Sequence, residues 1–211
     1  RFAPVMPSQF TVGGLSRQEQ MADRVRDLMV GMEFQEVMSN IMGSHQDFCT
    51  RMRLGGTDWA NVVEVANVMS LSYSCLRQWV VPSLLQVEAN SSRAFYPHRM
   101  FEVGEVAVPE VKADIGSRTV TVLGAIIAHA GANFSEIHSC LDLLMYYLDR
   151  PFKLEPLVHP SFLEGRVGQI QCDGQRIGFL GEVHPEVLEQ WQIGVPVVAL
   201  ELEVDRLLEG E

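Results

Sequence analysis

Met21, Val25, Leu28, Met29 and Met32 recur at helical spacing behind Ser16 and Glu19, which predicts an amphipathic helix opened by an S-x-x-E capping box. Gly31 is its expected left-handed stop, and Phe34 to Ile41 then reads as a strand. Ser44 with Asp47 opens a shorter helix reaching about Met52, Gly55-Gly56-Thr57-Asp58 turns the chain, and Val62 to Ala66 is a short strand. Pro82 suits the first turn of a helix that runs to about Ala94. Met100 to Val108 is a strand ended by Pro109, and Val111 to Ser117 is polar and turn-like. Thr119 to Ala128 is β-branched and mostly apolar, which suits a central strand. Phe134 to Asp149 is a helix that buries Ile137, Leu141, Leu144, Met145 and Leu148, and Pro151 closes it. Phe152 to Leu157 alternates. Arg166 to Cys172 and Gln175 to Val183 flank Asp173-Gly174, a hairpin turn. Pro185 begins a short helix through Trp191, and Val195 to Val204 is the last strand. Strands separated by helices, with a late hairpin, predict an α+β chain with an antiparallel sheet flanked by helices. We read residues 1–211 as a single domain, with an extended lead-in at 1–15, a first half at 16–110 and a second sheet half with the hairpin at 118–208.

Of the 211 residues, 47% are apolar, enough for a sizeable core. The longest apolar stretch, Val120 to Ala130, is too short for a membrane span and is broken by His129. A formal net charge of −11 makes the chain a poor phosphate clamp, which argues against DNA and places most of any grip on RNA elsewhere. Lys112 and Lys153 are the only lysines, so the positive charge is nearly all arginine, the cation suited to fixed ion pairs. Cys49, Cys75, Cys140 and Cys172 share no C-x-x-C spacing and read as reduced thiols in a cytoplasmic protein. The start at Arg1-Phe2-Ala3-Pro4, with neither Met nor a signal pattern, reads as a piece cut from a longer protein.

Glu201, Glu203 and Asp205 alternate with Leu200, Leu202 and Val204, which puts three carboxylates on one strand face. Magnesium would need such oxygens in octahedral array, but the alternation is that of a solvated face. His129, His138, His159 and His184 are scattered, and His138 lies two helical positions from Cys140, so the two do not face each other. No metal site is expected. His184-Pro185 shapes the turn into the last helix. Walker loop, dinucleotide fingerprint and nucleophile elbow are all missing. An enzyme of unrelated chemistry using Glu102, Glu201 or a histidine would need these groups clustered in a cleft.

The stretch Leu76-Arg77-Gln78-Trp79-Val80-Val81-Pro82-Ser83-Leu84-Leu85, followed by Arg99-Met100-Phe101-Glu102-Val103-Gly104-Glu105-Val106, is similar to a degenerate second motif of class II aminoacyl-tRNA synthetases. Further pieces follow in order: Phe10-Thr11-Val12-Gly13-Gly14, Gly31 to Met38, His159-Pro160-Ser161-Phe162, Gly165-Arg166 and Gly178 to Pro185. Together they cover nearly the whole chain. They resemble the C-terminal synthetase-like region of the phenylalanyl-tRNA synthetase beta subunit, archaeal or eukaryotic type.

That resemblance implies a class II synthetase-like antiparallel sheet and a catalytic alpha subunit as partner, in a heterotetramer. It also implies ATP and magnesium for the holoenzyme, and tRNA bound through the assembly. A class II ATP site uses an R-x-E pattern on one strand face. Here the nearest candidates, Arg99 and Glu102, are three apart and should point to opposite faces. No Arg follows Gly178-Phe179-Leu180-Gly181 to open a third motif. The module is therefore expected to lack an ATP site, catalytic residues and cofactors of its own. The stripe of Met21, Val25, Leu28, Met29 and Met32 corresponds to the family's first-motif helix at the subunit junction; periodicity alone equally allows a core-facing helix. Gly165-Arg166 would meet tRNA, a subunit or a buried ion-pair partner. The rival reading is a free-standing paralogue that binds an amino acid or adenylate in a regulatory role.

Overall fold

The computed structural model of the chain describes residues 2–6, 8–9, 12–68, 70–91 and 93–208, with Asp58 described by its backbone alone. Phe10 and Thr11 of the first family-like motif, and parts of the 1–15 lead-in, lie outside the described residues.

Helix α1 (Arg17–Gly31) starts where the capping pattern places it, with Ser16 Oγ accepting the Glu19 N–H at 3.1 Å. Its end differs from expectation. Gly31 stays in the last turn, and Glu33 takes the left-handed conformation at φ +65°. The Phe34 N–H then bonds back to the Met29 carbonyl, and the Phe34 ring enters the core. Only Gln35 and Glu36 of the strand expected over 34–41 pair in a ladder, as β1 (Gln35–Glu36). A small antiparallel sheet follows, built from β2 (Met42–Gly43), β3 (Val63–Glu64) and β4 (Cys75–Leu76) in the order β2-β4-β3. The short helix expected from Ser44 is a single π-turn, Gln46–Thr50.

Helix α2 (Val81–Asn90) carries Pro82 in its first turn, where a missing N–H does no harm. Strands β5 (His98–Pro109) and β6 (Ser117–Ala128) form a long antiparallel pair. After α3 (Phe134–Tyr147) come β7 (Phe152–Pro156), β8 (Phe162–Cys172), β9 (Gln175–Val183), α4 (Pro185–Trp191) and β10 (Val197–Glu203). Asp173 (φ +51°) and Gly174 (φ +76°) are both left-handed, as a two-residue hairpin between twisted strands requires. Among the described residues no helix is long and apolar enough to cross a membrane.

The seven strands of the large sheet run β1-β5-β6-β10-β9-β8-β7. This corrects the expected all-antiparallel sheet: β1 pairs parallel with β5, Gln35 opposite Met100 and Glu36 opposite Phe101, so the sheet is mixed. Parallel neighbours need a long crossover rather than a hairpin. The chain between Glu36 and His98, holding the small sheet and α2, supplies it.

Helices cover both faces. On one, Val80, Val81, Leu84 and Leu85 pack with Met100, Val106, Val122, Ile126 and Ala199. On the other, α1 and α3 lay Val25, Met29, Ile137, Leu141 and Leu144 on Phe101, Leu123, Ile127 and Leu200. Met21, Val25 and Met29 are thus buried in the chain's own core, while Leu28 and Met32 are only partly covered. Val25→Asp is accordingly expected to lower fold stability by about 3–5 kcal/mol, as an uncompensated buried charge does. Leu28→Asp should do far less, and urea denaturation of both variants checks the contrast.

Candidate functional site

On the α2 face, the strand register sets Glu102, Gly124, Glu201 and Phe179 in one row across β5, β6, β10 and β9. Gly124 is the low point of that row. A Cβ there would lie 2.7 Å from Val80 Cγ1, so the chain entering α2 rests directly on the sheet.

Glu102 is buried and fully engaged. Its Oε1 meets Arg77 Nη2 at 2.7 Å, and its Oε2 accepts the Ser39 hydroxyl. Arg77, 2% exposed, also donates from Nη1 to Ser39 Oγ at 2.7 Å and from Nε to the Glu105 carbonyl at 3.0 Å. Gly104 makes room for this pair, since a Cβ at that position would lie 2.5 Å from Arg77 Nη2. Arg99 leaves β5 on the other face. It pairs with Glu136 Oε1 at 2.8 Å and lies 5.8 Å from the centre of the Phe34 ring. The second Glu136 oxygen takes His129 Nε2 at 2.7 Å, while His129 Nδ1 accepts the Gly131 N–H. Arg99 and Glu102 therefore line no common pocket.

Glu201 does not sit on a solvated face, and here the expectation from alternation is corrected. Its side chain is buried, with Oε2 accepting the N–H groups of Val80 at 2.9 Å and Val81 at 3.1 Å. A strand residue thus caps the start of α2. Burial pushes its carboxyl up to about 8, against the downward pull of those two N–H groups and of Arg77. Its two companions have other partners: Glu203 accepts from Arg206 Nε at 2.6 Å, and Asp205 accepts from Gln18 and from the Thr121 N–H. Alternation says which side a residue takes, not what covers that side.

Beside Glu201 lies a cavity of about 470 Å³, floored by Val106, Val108, Val120 and Val122. Trp59, Trp79, His159 and Phe179 form its aromatic wall. His159 is hemmed in by all three other rings, with centroids 4.3 Å from Trp59, 5.4 Å from Trp79 and 5.3 Å from Phe179. Burial, helped by Arg176, holds its imidazole down to about 3, so the ring is neutral. Arg176 lies over Trp59 at 5.0 Å. Trp79 falls within the family-like stretch 76–85, but nothing in the spacing of Trp59, His159 and Arg176 announces that they meet.

The remaining candidates stay apart. His184 caps α4, its Nδ1 accepting the Glu186 N–H at 3.2 Å. His138 faces Asp142 at 3.5 Å rather than Cys140. Arg166 is 61% exposed and reaches Glu182 at 3.3 Å, so of the three readings of Gly165-Arg166 the buried ion pair is the one set aside. The four cysteines are free, and among the described residues no three His, Cys, Asp or Glu side chains gather as metal ligands.

Comparison with known proteins places this arrangement. Residues 3–204 match the model of the phenylalanyl tRNA synthetase beta chain CLM domain. That description replaces the class II synthetase catalytic fold implied by the resemblance. The beta subunit of phenylalanine–tRNA ligase from Treponema pallidum is 38% identical over 208 residues, which is 99% of this chain and 34% of that protein. The corresponding subunit of Borrelia garinii is 36% identical over 207 residues, 98% of this chain and 36% of its own length. That of Pyrococcus furiosus is 39% identical over 180 residues, 85% of this chain and 32% of its own. The chain spans about a third of the length of these relatives. They include bacterial as well as archaeal proteins, so they support the family but not the archaeal or eukaryotic subdivision.

Proposed function

Because this chain belongs to the phenylalanyl tRNA synthetase beta chain CLM domain family, we propose that it is a noncatalytic supporting part of a phenylalanine–tRNA ligase. In this reading it braces the catalytic alpha subunit and helps complete the heterotetramer. ATP and magnesium are handled by the partner, and tRNA is engaged through the assembly. The observation that carries the reading is the fate of the two residues nearest an ATP clamp. Glu102 is closed off by Arg77 and Ser39, and Arg99 is tied to Glu136 on the opposite face of the sheet. A nucleotide phosphate would have to break one of these pairs to gain either of these two arginines. The net charge of −11 supports a grip on tRNA located outside this chain. Of the α1 stripe, Leu28 and Met32 keep surface to offer a partner, while Met21, Val25 and Met29 are spent on the core.

Calorimetry of the chain with ATP and magnesium is expected to show no micromolar binding, and the chain is expected to co-elute with the alpha subunit in gel filtration. Micromolar ATP affinity that disappears in Arg99→Ala, or failure to co-elute, would overturn the reading.

A further inference from the structure

We propose that the cavity walled by Trp59, Trp79, His159 and Phe179 is a binding site for a small monoanion with a flat apolar body, its charge held by Arg176. The proposal stands apart from the supporting role argued above. A volume of about 470 Å³ lies within the range of small-molecule sites, and the lining joins valines and aromatic rings to polar groups that include Gln78, Gln175, Arg176 and Glu203. The valine floor and the aromatic wall offer flat surfaces to a ring.

Arg176 supplies the specificity. Arg77, Arg99, Arg166 and Arg206 each have a carboxylate within 4.0 Å. Arg176 lines the cavity, yet among the described residues no carboxylate lies within that distance of it. Its guanidinium carbon lies over the Trp59 ring, 5.0 Å from the centroid, and Glu203, the nearest acidic influence, is already bonded to Arg206. Burial lowers its pKa, Glu203 pulls it back up from beyond ion-pair distance, and Arg206 lowers it further. The same wall carries a buried donor without a partner among the described residues, the Trp79 indole N–H. A carboxylate oxygen of the bound molecule would give that donor the acceptor it lacks. The glutamates set the limit on charge. Glu203 lines the cavity with Arg176 and Arg206, which leaves one net positive charge beside a Glu201 that stays protonated near neutral pH, so a single negative charge suits it and a triphosphate does not.

The test titrates phenylacetate and indole-3-acetate into the 211-residue chain, with phenylacetamide as the neutral counterpart. Binding is followed by tryptophan fluorescence and by the indole N–H signals of Trp59 and Trp79. At least one acid is expected to bind saturably, with phenylacetamide weaker than phenylacetate by about tenfold or more, the loss of one charge-assisted contact. Arg176→Gln should abolish that difference; Arg176 is exposed on β9, so the sheet does not depend on it. The proposal fails if neither acid saturates below about 10 mM. It also fails if the amide binds as well as the acid, if Arg176→Gln leaves acid binding intact, or if the responding signals exclude Trp59 and Trp79.

Discussion

Arg77→Met is expected to destabilise the fold by about 3–5 kcal/mol, because it leaves the Glu102 carboxylate buried without its cation. The effect should be large because three elements share the network. Arg77 lies just after β4, Ser39 just after β1 and Glu102 on β5, and each donor has an acceptor within the group. Removing one member strips bonds from the other two. Glu102→Gln should cost less, since an amide still accepts from Ser39 and Arg77 keeps the Glu105 carbonyl. In the double variant Arg77→Met, Glu102→Leu, the two apolar side chains can fill the space without an orphaned charge, and stability should return most of the way. Urea denaturation of the parent, Arg77→Met, Glu102→Leu and the double variant gives the cycle. If Arg77→Met alone costs less than about 1 kcal/mol, the pair behaves like a surface ion pair and the network does not organise this face of the sheet.

The second large effect is a loss of stability on the alkaline side that comes from Glu201. Its folded-state pKa, about 8, lies above its ordinary value of 4.5, so between those limits the folded chain binds more protons than the unfolded one. The stabilisation is complete below pH 4.5 and is lost as pH rises towards 8, a change on the order of 5 kcal/mol. His159 acts in the opposite direction. Its pKa falls from 6.5 to about 3, so its contribution is present above pH 6.5 and lost as pH falls towards 3. Between pH 4.5 and 6.5 the two slopes oppose each other, between pH 6.5 and about 8 the slope is that of Glu201, and above that the raised cysteine thiols join it. Glu201→Gln keeps a carbonyl oxygen for the Val80 and Val81 N–H groups but has no proton to lose. The variant should therefore hold its urea midpoint between about pH 6.5 and about pH 8, where the parent chain declines. A parent midpoint that does not move across that interval would remove Glu201 as the cause.

What could be read from the residues follows the range of the physics. The hairpin at Asp173-Gly174 was legible because two consecutive left-handed residues are a local demand, and β9 has the predicted bounds, 175–183. Helix α4 likewise runs from Pro185 to Trp191 as expected, because proline and a capping histidine act within one turn. The direction of β1 was not legible, since alternation looks the same in parallel and antiparallel ladders. Nor was the turn at Glu33, a left-handed position occupied by a residue other than glycine. At the site, the divergence of Arg99 and Glu102 follows from counting along one strand. The burial of Glu201 depends on a helix more than a hundred positions away, and the meeting of Trp59, His159 and Arg176 depends on the whole sheet having formed.

Of the strands of this sheet, the last in sequence is the one in the middle. With β10 seated between β6 and β9, a nascent chain that ends before Val197 has made only two partial sheets, β1-β5-β6 and β9-β8-β7, each with a bare inner edge. The start of α2 also waits for Glu201 to close its N–H groups. Translation of this segment must therefore run almost to its end before the two halves can be joined, and until then the open edges of β6 and β9 are surfaces that a chaperone must shield or a neighbouring chain can invade.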